Sequence, residues 1–292
     1  MVKLKAGVFA VVAICLMMAG TVCASHHGGE KEKKVGILLV AFGSSEASAQ
    51  VSFENIDKKV QATYPEIPVR WAYTSHIIRK KLAGQGTMLD SPEVALAKMA
   101  DEDFTHVAVQ SLHTIAGAEY HDLRRVVGAF SAMGAFDSVV LGYPLLATQK
   151  DMEKSVDALL SIIPQERHKD EAVVFMGHGT HHPANAFYAA LMFQVQLKDA
   201  NVYIGTVEGY PELDTILTLL NKNRVKTVYL MPFMSVAGDH AKNDMAGDEG
   251  DSWKSILAGE GFEVVTVLKG TAEFDQFVSL WVDHLAGPLA HF

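Results

Sequence analysis

From Val35 to its C-terminal end, the chain alternates short, continuous apolar runs with longer amphipathic segments. Eight of the runs are rich in β-branched residues and are bounded by glycine, proline or polar residues, which predicts strands. In chain order they are VGILLVAF, VRWAY, HVAVQSL, SVVLGY, AVVFMG, NVYIGTV, TVYLMPFM and EVVTVL. Apolar runs without polar alternation are typical of strands covered on both faces, so the pattern predicts an α/β fold with parallel sheets flanked by helices.

The eight runs fall into two similar sets of four. LHTIAGAEYHD in the first half aligns with FMSVAGDHAKN in the second, VAFGSSEAS aligns with MGHGTHHPA, and VRWAYTS aligns with VYIGTVE. Repetition of this kind predicts two similar lobes, each a small parallel sheet with helices, and a ligand cleft between them. A proline and a charge cluster in Ile162–Glu171 indicate the boundary, so we assign residues 35–165 to the N-terminal lobe and residues 166–292 to the C-terminal lobe.

The first 24 residues have the pattern of a secretory signal peptide. Lys3 and Lys5 precede an apolar stretch that is too short for a good membrane span, and a small-x-small cleavage site ends at Ala24. Lipidation of Cys23 is the weaker alternative, because Val22 is larger than the residue such a site prefers. Residues 25–34 are polar and are predicted to be a flexible leader. We therefore expect a periplasmic protein without stable membrane insertion.

Cleavage after Ala24 would change the chemistry that is available to the remaining 268 of the 292 residues. Both cysteines, Cys15 and Cys23, would be lost, so any metal must be bound by nitrogen and oxygen ligands. Loss of Lys3 and Lys5 would move the formal charge from -9 to -11, which argues against nucleic acid or an anionic membrane surface as a partner.

Three side chains of the second half differ from their counterparts in the first half in a way that suggests metal binding. They are His178 in place of Phe42, Glu208 in place of Ser75, and His240 in place of Glu119. Each follows a different strand, and the carboxyl ends of parallel strands face a common crevice. Two imidazoles and a carboxylate suit a divalent transition metal and leave coordination positions open. The competing interpretation is a hydrogen-bonded loop residue for each histidine and a solvated loop residue for Glu208, but Gly177 and Gly179 beside His178 favour close approach of a ligand.

Other stretches of the sequence match neither a nucleotide-binding motif nor a calcium loop. Neither GQG nor GHG forms a dinucleotide fingerprint, and the chain has no Walker loop. The acidic stretch Asn243–Asp251 lacks the spacing of a calcium loop, and we interpret it as a helix start or an exposed loop.

Two long motifs make a family resemblance specific. FMGHGTHHPAN at Phe175–Asn185, together with MPFMSVAGDHAKNDMAGDEGDSW at Met231–Trp253, resembles the anaerobic sirohydrochlorin cobaltochelatases of the class II chelatase family, which is related in fold to ferrochelatase. The resemblance extends over nearly all of the chain after the signal. It implies a two-lobed α/β enzyme that inserts Co²⁺ or Fe²⁺ into sirohydrochlorin, without a nucleotide, in cobalamin or sirohaem-type biosynthesis.

The resemblance also implies roles for individual residues. It makes His178, Glu208 and His240 the metal ligands, and His178 and His240 the catalytic residues, with His178 as the principal base. Sirohydrochlorin is a polycarboxylate, so an acidic protein needs local donors to bind it. Six residues at strand ends or in the following segments are predicted to do so, although the hydroxyl residues among them also suit ordinary helix caps. They are Ser44, Ser45, Arg79, His113, Thr114 and Thr180.

The export signal keeps a second function class open, because a cobalamin-pathway chelatase is expected in the cytoplasm. The alternative is a periplasmic carrier of metal, haem or another tetrapyrrole on the chelatase fold. Under this alternative, His113 and His121 are the candidate haem ligands. If the protein is a chelatase, they are carboxylate contacts or surface residues. We expect one of His181 and His182 to contact substrate. The sequence leaves open the choice of cobalt or iron, and whether the chain forms a homo-oligomer.

Overall fold

Each of the eight apolar runs forms a strand in the computed structural model, which describes residues 32–292. The strands are β1 Val35–Ala41, β2 Val69–Tyr73, β3 His106–Ser111, β4 Ser138–Gly142, β5 Ala172–Gly179, β6 Val202–Glu208, β7 Thr227–Pro232 and β8 Glu263–Thr266. The predicted signal peptide and most of the predicted leader lie outside the described residues.

The strands form two four-stranded parallel sheets with matching topology. The order is β2-β1-β3-β4 in the first sheet and β6-β5-β7-β8 in the second, so equivalent strands occupy equivalent places. The predicted α/β fold of two similar lobes is therefore confirmed. In each sheet the strand order reverses between the first strand and the third, and ligands of open α/β sheets bind outside the carboxyl ends of the strands at such a point.

Nine α-helices within residues 32–292 connect and cover the strands. They are α1 Gln50–Thr63, α2 His76–Ala83, α3 Pro92–Asp101, α4 Ala118–Ala132, α5 Gln149–Ser161, α6 Ala186–Gln196, α7 Leu213–Lys222, α8 Trp253–Gly259 and α9 Asp275–Leu289. Serine and threonine start several of them; Thr148, for example, forms a capping box with Asp151 at the start of α5. None of the helices described is long and apolar enough to cross a bilayer.

Burial on both faces explains why the strand sequences are continuously apolar. In β1, Ile37 and Leu39 enter one hydrophobic cluster, whereas Leu38 and Val40 enter another on the opposite face of the sheet. All four side chains are fully buried. Full burial of one such side chain stabilises the fold by roughly 1.5–3 kcal/mol relative to exposure, so both faces of the strand favour the apolar sequence.

The last helix returns to the first sheet. α9 follows the second sheet in sequence but packs against β3 and β4 and also contacts α1 and α5. Trp281 of α9 is fully buried, and its Nε1 donates to the carbonyl of His113 over 3.4 Å. The cluster around Trp281 also contains Phe175 of β5 and Phe233 after β7, so the two lobes share part of their core. The predicted C-terminal lobe, residues 166–292, therefore includes one helix, α9, whose apolar face is buried against the other lobe.

Candidate functional site

The carboxyl ends of the two sheets face each other, and side chains from the two lobes meet there. The Phe42 ring lies 6.3 Å from the His178 ring, measured between centroids, although these residues occupy equivalent positions in the two halves. Nζ of Lys242 lies 2.5 Å from a carboxylate oxygen of Glu46. These contacts define the cleft, by which we mean the space between the loops that follow β1 and β3 in one lobe and β5 and β7 in the other.

His178 and His240 meet at the point where the strand order of the second sheet reverses. His178 is the penultimate residue of β5, and His240 follows the neighbouring strand β7, immediately before a π-helical turn at Ala241–Met245. Their ring centroids are 4.5 Å apart and the ring planes are nearly perpendicular. An ion bound about 2.1 Å from each of two imidazole nitrogens needs rings separated by a distance of this order.

Hydrogen bonds at Nδ1 leave Nε2 available on both rings. Nδ1 of His178 lies 3.0 Å from the carbonyl oxygen of Gly179, and Nδ1 of His240 lies 2.5 Å from Oδ2 of Asp244. Both partners are acceptors, so each Nδ1 carries the proton. The neutral rings therefore present the lone pair of Nε2, which is the form that binds a metal or accepts a proton.

Glu208, the third predicted ligand, ends β6 beside Gly179 but is exposed. Gly179 has a φ of +80°, and a Cβ there would lie 2.0 Å from the carbonyl oxygen of Glu208. Glycine at this position thus allows the two strand ends to meet. Within residues 32–292, the structure brings no three His, Cys, Asp or Glu side chains together in a group that could bind a metal. It joins the two histidines, and Glu208 stays a predicted ligand on the adjacent strand end.

The second glycine beside His178 serves internal packing. A Cβ on Gly177 would lie 2.6 Å from a ring carbon of Tyr188, which is buried on α6. The expectation that both glycines admit a ligand is therefore corrected. Gly177 makes room for an aromatic ring, and Gly179 makes room for the backbone of β6.

Four of the predicted carboxylate-binding residues occupy strand ends around the cleft. Ser44 is buried, and its Oγ would lie 3.1 Å from a Cβ on Gly238 of the other lobe. Ser45 and Thr114 are half-buried in the loops after β1 and β3. The hydroxyl of Thr180 accepts from the backbone N–H of His182 over 3.1 Å. Because an accepting hydroxyl keeps its own proton, it can still donate to a carboxylate.

Arg79 lies on α2, the helix that follows β2, and is half-buried. Its Nε is buried without a hydrogen-bond partner, and no carboxylate among the described residues pairs with its guanidinium. A buried donor without a partner is costly, and a carboxylate ligand would satisfy it. An unpaired guanidinium of this kind suits the predicted role of Arg79 in binding substrate carboxylates.

His113 is held between two hydroxyl groups at the end of β3. Nδ1 lies 2.8 Å from Oγ of Ser111, and Nε2 lies 3.3 Å from Oγ1 of Thr74. Burial lowers the pKa of His113 from 6.5 to about 4, and the carboxylate of Glu119 opposes this shift. His113 is therefore neutral near pH 7. Because both ring nitrogens already have partners, a haem ligand at this position would have to break one of these hydrogen bonds.

His121 of α4 and His182 form a second contact between histidines of the two lobes, with ring centroids 5.1 Å apart. Nδ1 of His182 accepts from the backbone N–H of Ala184 over 3.1 Å, so the neutral ring carries its proton on Nε2. This tautomer suits donation to a carboxylate and does not suit coordination of a metal through Nε2. His181 is exposed. Of the two adjacent histidines, His182 is thus the better candidate for a substrate contact.

Three features of the cleft were not predicted from the sequence. Asp244 contacts His240, and Lys242 pairs with Glu46 across the lobes. Asn185 accepts from the backbone N–H of Thr180 and donates to the carbonyl of Tyr210, joining the loops after β5 and β6. The spacing of four residues between His240 and Asp244 is a helical signal that could have identified the first feature. The other two depend on contacts between residues that are distant in sequence, Lys242 with Glu46 and Asn185 with Tyr210.

Comparison with known proteins gives a consistent assignment. The family described as cobalt chelatase (CbiK) matches residues 35–289. The chain is 49% identical over 257 residues to the sirohydrochlorin cobaltochelatase CbiKC of Nitratidesulfovibrio vulgaris, covering 88% of this chain and 91% of that protein. It is 37% identical over 254 residues to the sirohydrochlorin cobaltochelatase of Salmonella typhimurium, covering 86% and 95% of the two chains.

A solved structure supports the fold independently. SirB from Bacillus subtilis with Fe³⁺ superposes with a TM-score of 0.61, covering 88% of this chain and 96% of that chain. The sequence identity is 15%, so this likeness bears on the fold alone.

Proposed function

The chain belongs to the CbiK family of cobalt chelatases, and from this premise we propose that its cleft inserts Co²⁺ into sirohydrochlorin, in tetrapyrrole biosynthesis, without a nucleotide. The reaction joins a divalent ion to a metal-free macrocycle and releases two pyrrole protons. It consumes no redox equivalent, so the protein needs only to bind the two substrates, orient them and accept protons.

One observation carries the proposal: two imidazoles with available Nε2 atoms lie 4.5 Å apart, centroid to centroid, where the strand order of the second sheet reverses. Imidazole nitrogen suits first-row divalent metals, Co²⁺ and Fe²⁺ among them. Two nitrogen ligands leave most coordination positions to water or to the incoming macrocycle. An ion bound in this way can be transferred without first escaping a closed ligand cage.

His178 and His240 bind the incoming ion, and Glu208 completes the site when its side chain turns from solvent toward His178. The position of Glu208 beside Gly179 supports this role, because the ends of β5 and β6 are in direct register there. A carboxylate in the site neutralises part of the metal charge and displaces water from the ion. Exchange of these ligands for the pyrrole nitrogens then moves the metal into the ring.

Proton removal uses the same imidazoles. Each pyrrole N–H proton must leave as its nitrogen bonds to the metal, and the Nε2 lone pair that the ion has just vacated on an imidazole is free to accept it. We assign His178 as the principal base. Arg79 and the donors of the strand-end loops bind the macrocycle carboxylates, and His182 adds an Nε2–H donor.

The function is tested with purified residues 25–292, sirohydrochlorin and Co²⁺ in buffer without ATP. We expect conversion of the macrocycle spectrum at a rate well above that of a protein-free control, and loss of this excess in a His178→Ala, His240→Ala double variant. Fe²⁺ in place of Co²⁺ measures the metal preference. A rate equal to the spontaneous rate with both ions, together with a stable stoichiometric complex with the tetrapyrrole, would instead establish a carrier.

We also propose that the chain is exported to the periplasm. The support is the sequence from Lys3 to Ala24, with its basic start, apolar stretch and cleavage site. Expression of the full chain in a Gram-negative host should give a soluble periplasmic protein that begins at Ser25. Recovery of the chain from the cytoplasm with its first 24 residues intact, or with a lipid on Cys23, would contradict export in this form.

A further inference from the structure

Of the hydrogen bonds made by His178 and His240, the one between His240 and Asp244 is the shorter. Oδ2 of Asp244 lies 2.5 Å from Nδ1 of His240, one helical turn earlier in the chain. Both side chains are partly exposed, Asp244 by 43% and His240 by 37%. The contact is specific to the second half of the repeat, because the position of the first half that aligns with Asp244 is the buried Leu123.

The two histidines of the site differ in what holds their Nδ1 proton. His178 donates to the neutral carbonyl of Gly179, whereas His240 donates to an anionic carboxylate. A carboxylate partner fixes the ring orientation and the tautomer, and it increases the electron density that the opposite nitrogen offers to a metal. Nε2 of His240 should therefore be the stronger donor of the pair.

The backbone that carries Asp244 is well anchored. Its neighbour Met245 is fully buried, and so is Ala241 at the start of the π-helical turn. Oγ of Ser252 donates to the carbonyl of Gly247 over 2.7 Å and fixes the end of the segment. π-helical turns are rare and frequently occur at functional sites. The carboxylate therefore projects from a fixed support toward the imidazole.

We propose that Asp244 is a positioning residue for cobalt chelation, which holds His240 in the tautomer and orientation that bind Co²⁺ through Nε2. The inference rests on the proposed function, since it concerns the same metal substrate. Asp244 acts through His240 and does not touch the metal. Its loss should weaken binding of the ion without altering recognition of the macrocycle.

The chain provides a matched control immediately before the π-helical turn. Asp239 is exposed, and its Oδ1 accepts from Nδ2 of Asn243 over 2.9 Å, again between side chains four residues apart. Asp239→Asn removes the same charge beside the site as Asp244→Asn but leaves the partner of His240 in place. Any difference between the two variants therefore reports the contact with the imidazole and not the net charge.

The test titrates Co²⁺ into the protein without tetrapyrrole and follows the visible absorption of the bound ion. We expect Asp244→Asn to raise the Kd for Co²⁺ by about 10- to 100-fold, the usual cost of losing such a partner, and to shift the absorption bands. Asp239→Asn should bind Co²⁺ within about threefold of the unmodified protein. In turnover, Asp244→Asn should raise the KM for Co²⁺ and leave the KM for sirohydrochlorin unchanged.

The outcomes separate this inference from the proposed function. If Asp244→Asn binds Co²⁺ as tightly as Asp239→Asn while His240→Ala loses the ion, the positioning role is wrong and the chelatase function stands. An equal rise in both KM values for Asp244→Asn would indicate general disruption of the cleft and would also overturn the inference. If the unmodified protein neither binds Co²⁺ nor turns over, the proposed function itself fails.

Discussion

The imidazoles of His178, near the end of β5, and of His240, in the segment after the neighbouring strand β7, lie edge to face with centroids 4.5 Å apart. Both rings hold their proton on Nδ1 through acceptors of their own segment, a carbonyl for His178 and a carboxylate for His240. The Nε2 lone pairs of both rings are thus available before any substrate binds. Binding of a metal then requires no change of tautomer in either ring.

Replacement of His178 by alanine should reduce kcat by roughly 10²- to 10⁴-fold, because it removes a ligand and the proposed general base. His240→Ala should reduce the rate in the same direction but recover part of it at high Co²⁺ concentration, because the proposed role of His240 is chiefly coordination. Initial rates over a range of Co²⁺ concentrations measure both effects. His181→Ala is the matched control, since this exposed histidine lies in the loop directly after β5, and it should keep the rate of the unmodified protein.

Circular dichroism and thermal unfolding should verify that the histidine variants fold normally. If folded His178→Ala and His240→Ala both keep full rates at limiting Co²⁺, the metal site lies elsewhere in the molecule.

Glu208→Ala should raise the KM for Co²⁺ and leave most of kcat intact at saturating metal. The reason is that Glu208 is exposed at the end of β6 and is proposed to join the ion only when its side chain turns inward. Glu212→Ala is a suitable control, because Glu212 is exposed in the loop after β6 and its replacement removes the same charge. Equal KM values for the two variants would exclude Glu208 as a ligand.

The sequence was most informative about strands and least informative about long-range contacts. Side chains such as Leu38 and Leu39 are buried on opposite faces of one strand, so parallel strands are recognisable as continuous apolar runs. The repeat singled out His178 and His240 as predicted ligands because the equivalent positions of the first half carry Phe42 and Glu119. The return of α9 to the first sheet was not predictable, since an apolar residue such as Trp281 indicates burial but not which sheet it covers.

His113 should make the stability of the protein depend on pH between about 6.5 and 4. Its pKa is lowered to about 4 by burial, so in this interval the unfolded chain binds a proton that the folded chain does not. The free energy of unfolding should therefore be fully retained above pH 6.5 and should fall as the pH decreases, by at most about 1.4 kcal/mol per pH unit from this residue. Below about pH 4 its contribution should no longer change.

Urea unfolding of the protein and of a His113→Gln variant, at several pH values in this interval, measures that contribution. The variant should show a smaller slope of stability against pH. His76→Gln is the control, because His76 is exposed and its replacement should leave the slope unchanged. Identical slopes for His113→Gln and the unmodified protein would show that His113 is not buried in the neutral form.

Lys242 and Glu46 should contribute a measurable coupling energy between the lobes. Their charged atoms are 2.5 Å apart, and the side chains are 39% and 25% exposed. Lys58 and Glu54, an ion pair within α1, are 73% and 61% exposed, so water screens them more strongly. Double-mutant cycles with Lys242→Met and Glu46→Gln, and with Lys58→Met and Glu54→Gln, compare the two pairs. We expect the coupling between the lobes to lie near the upper end of about 0.2–1 kcal/mol, and that within α1 near the lower end.

Salt and pH identify the origin of this coupling. Lys242 lowers the pKa of the Glu46 carboxyl, mainly through their hydrogen bond, so the stabilisation should be present above the carboxyl pKa of the unfolded chain. It should be lost as the pH falls through the lower pKa of the folded protein. Raising the ionic strength should reduce the coupling between the lobes less than the coupling within α1, because the less exposed pair is less accessible to counter-ions. A coupling of zero at low salt, in variants that fold normally, would mean that this ion pair does not help to hold the lobes together.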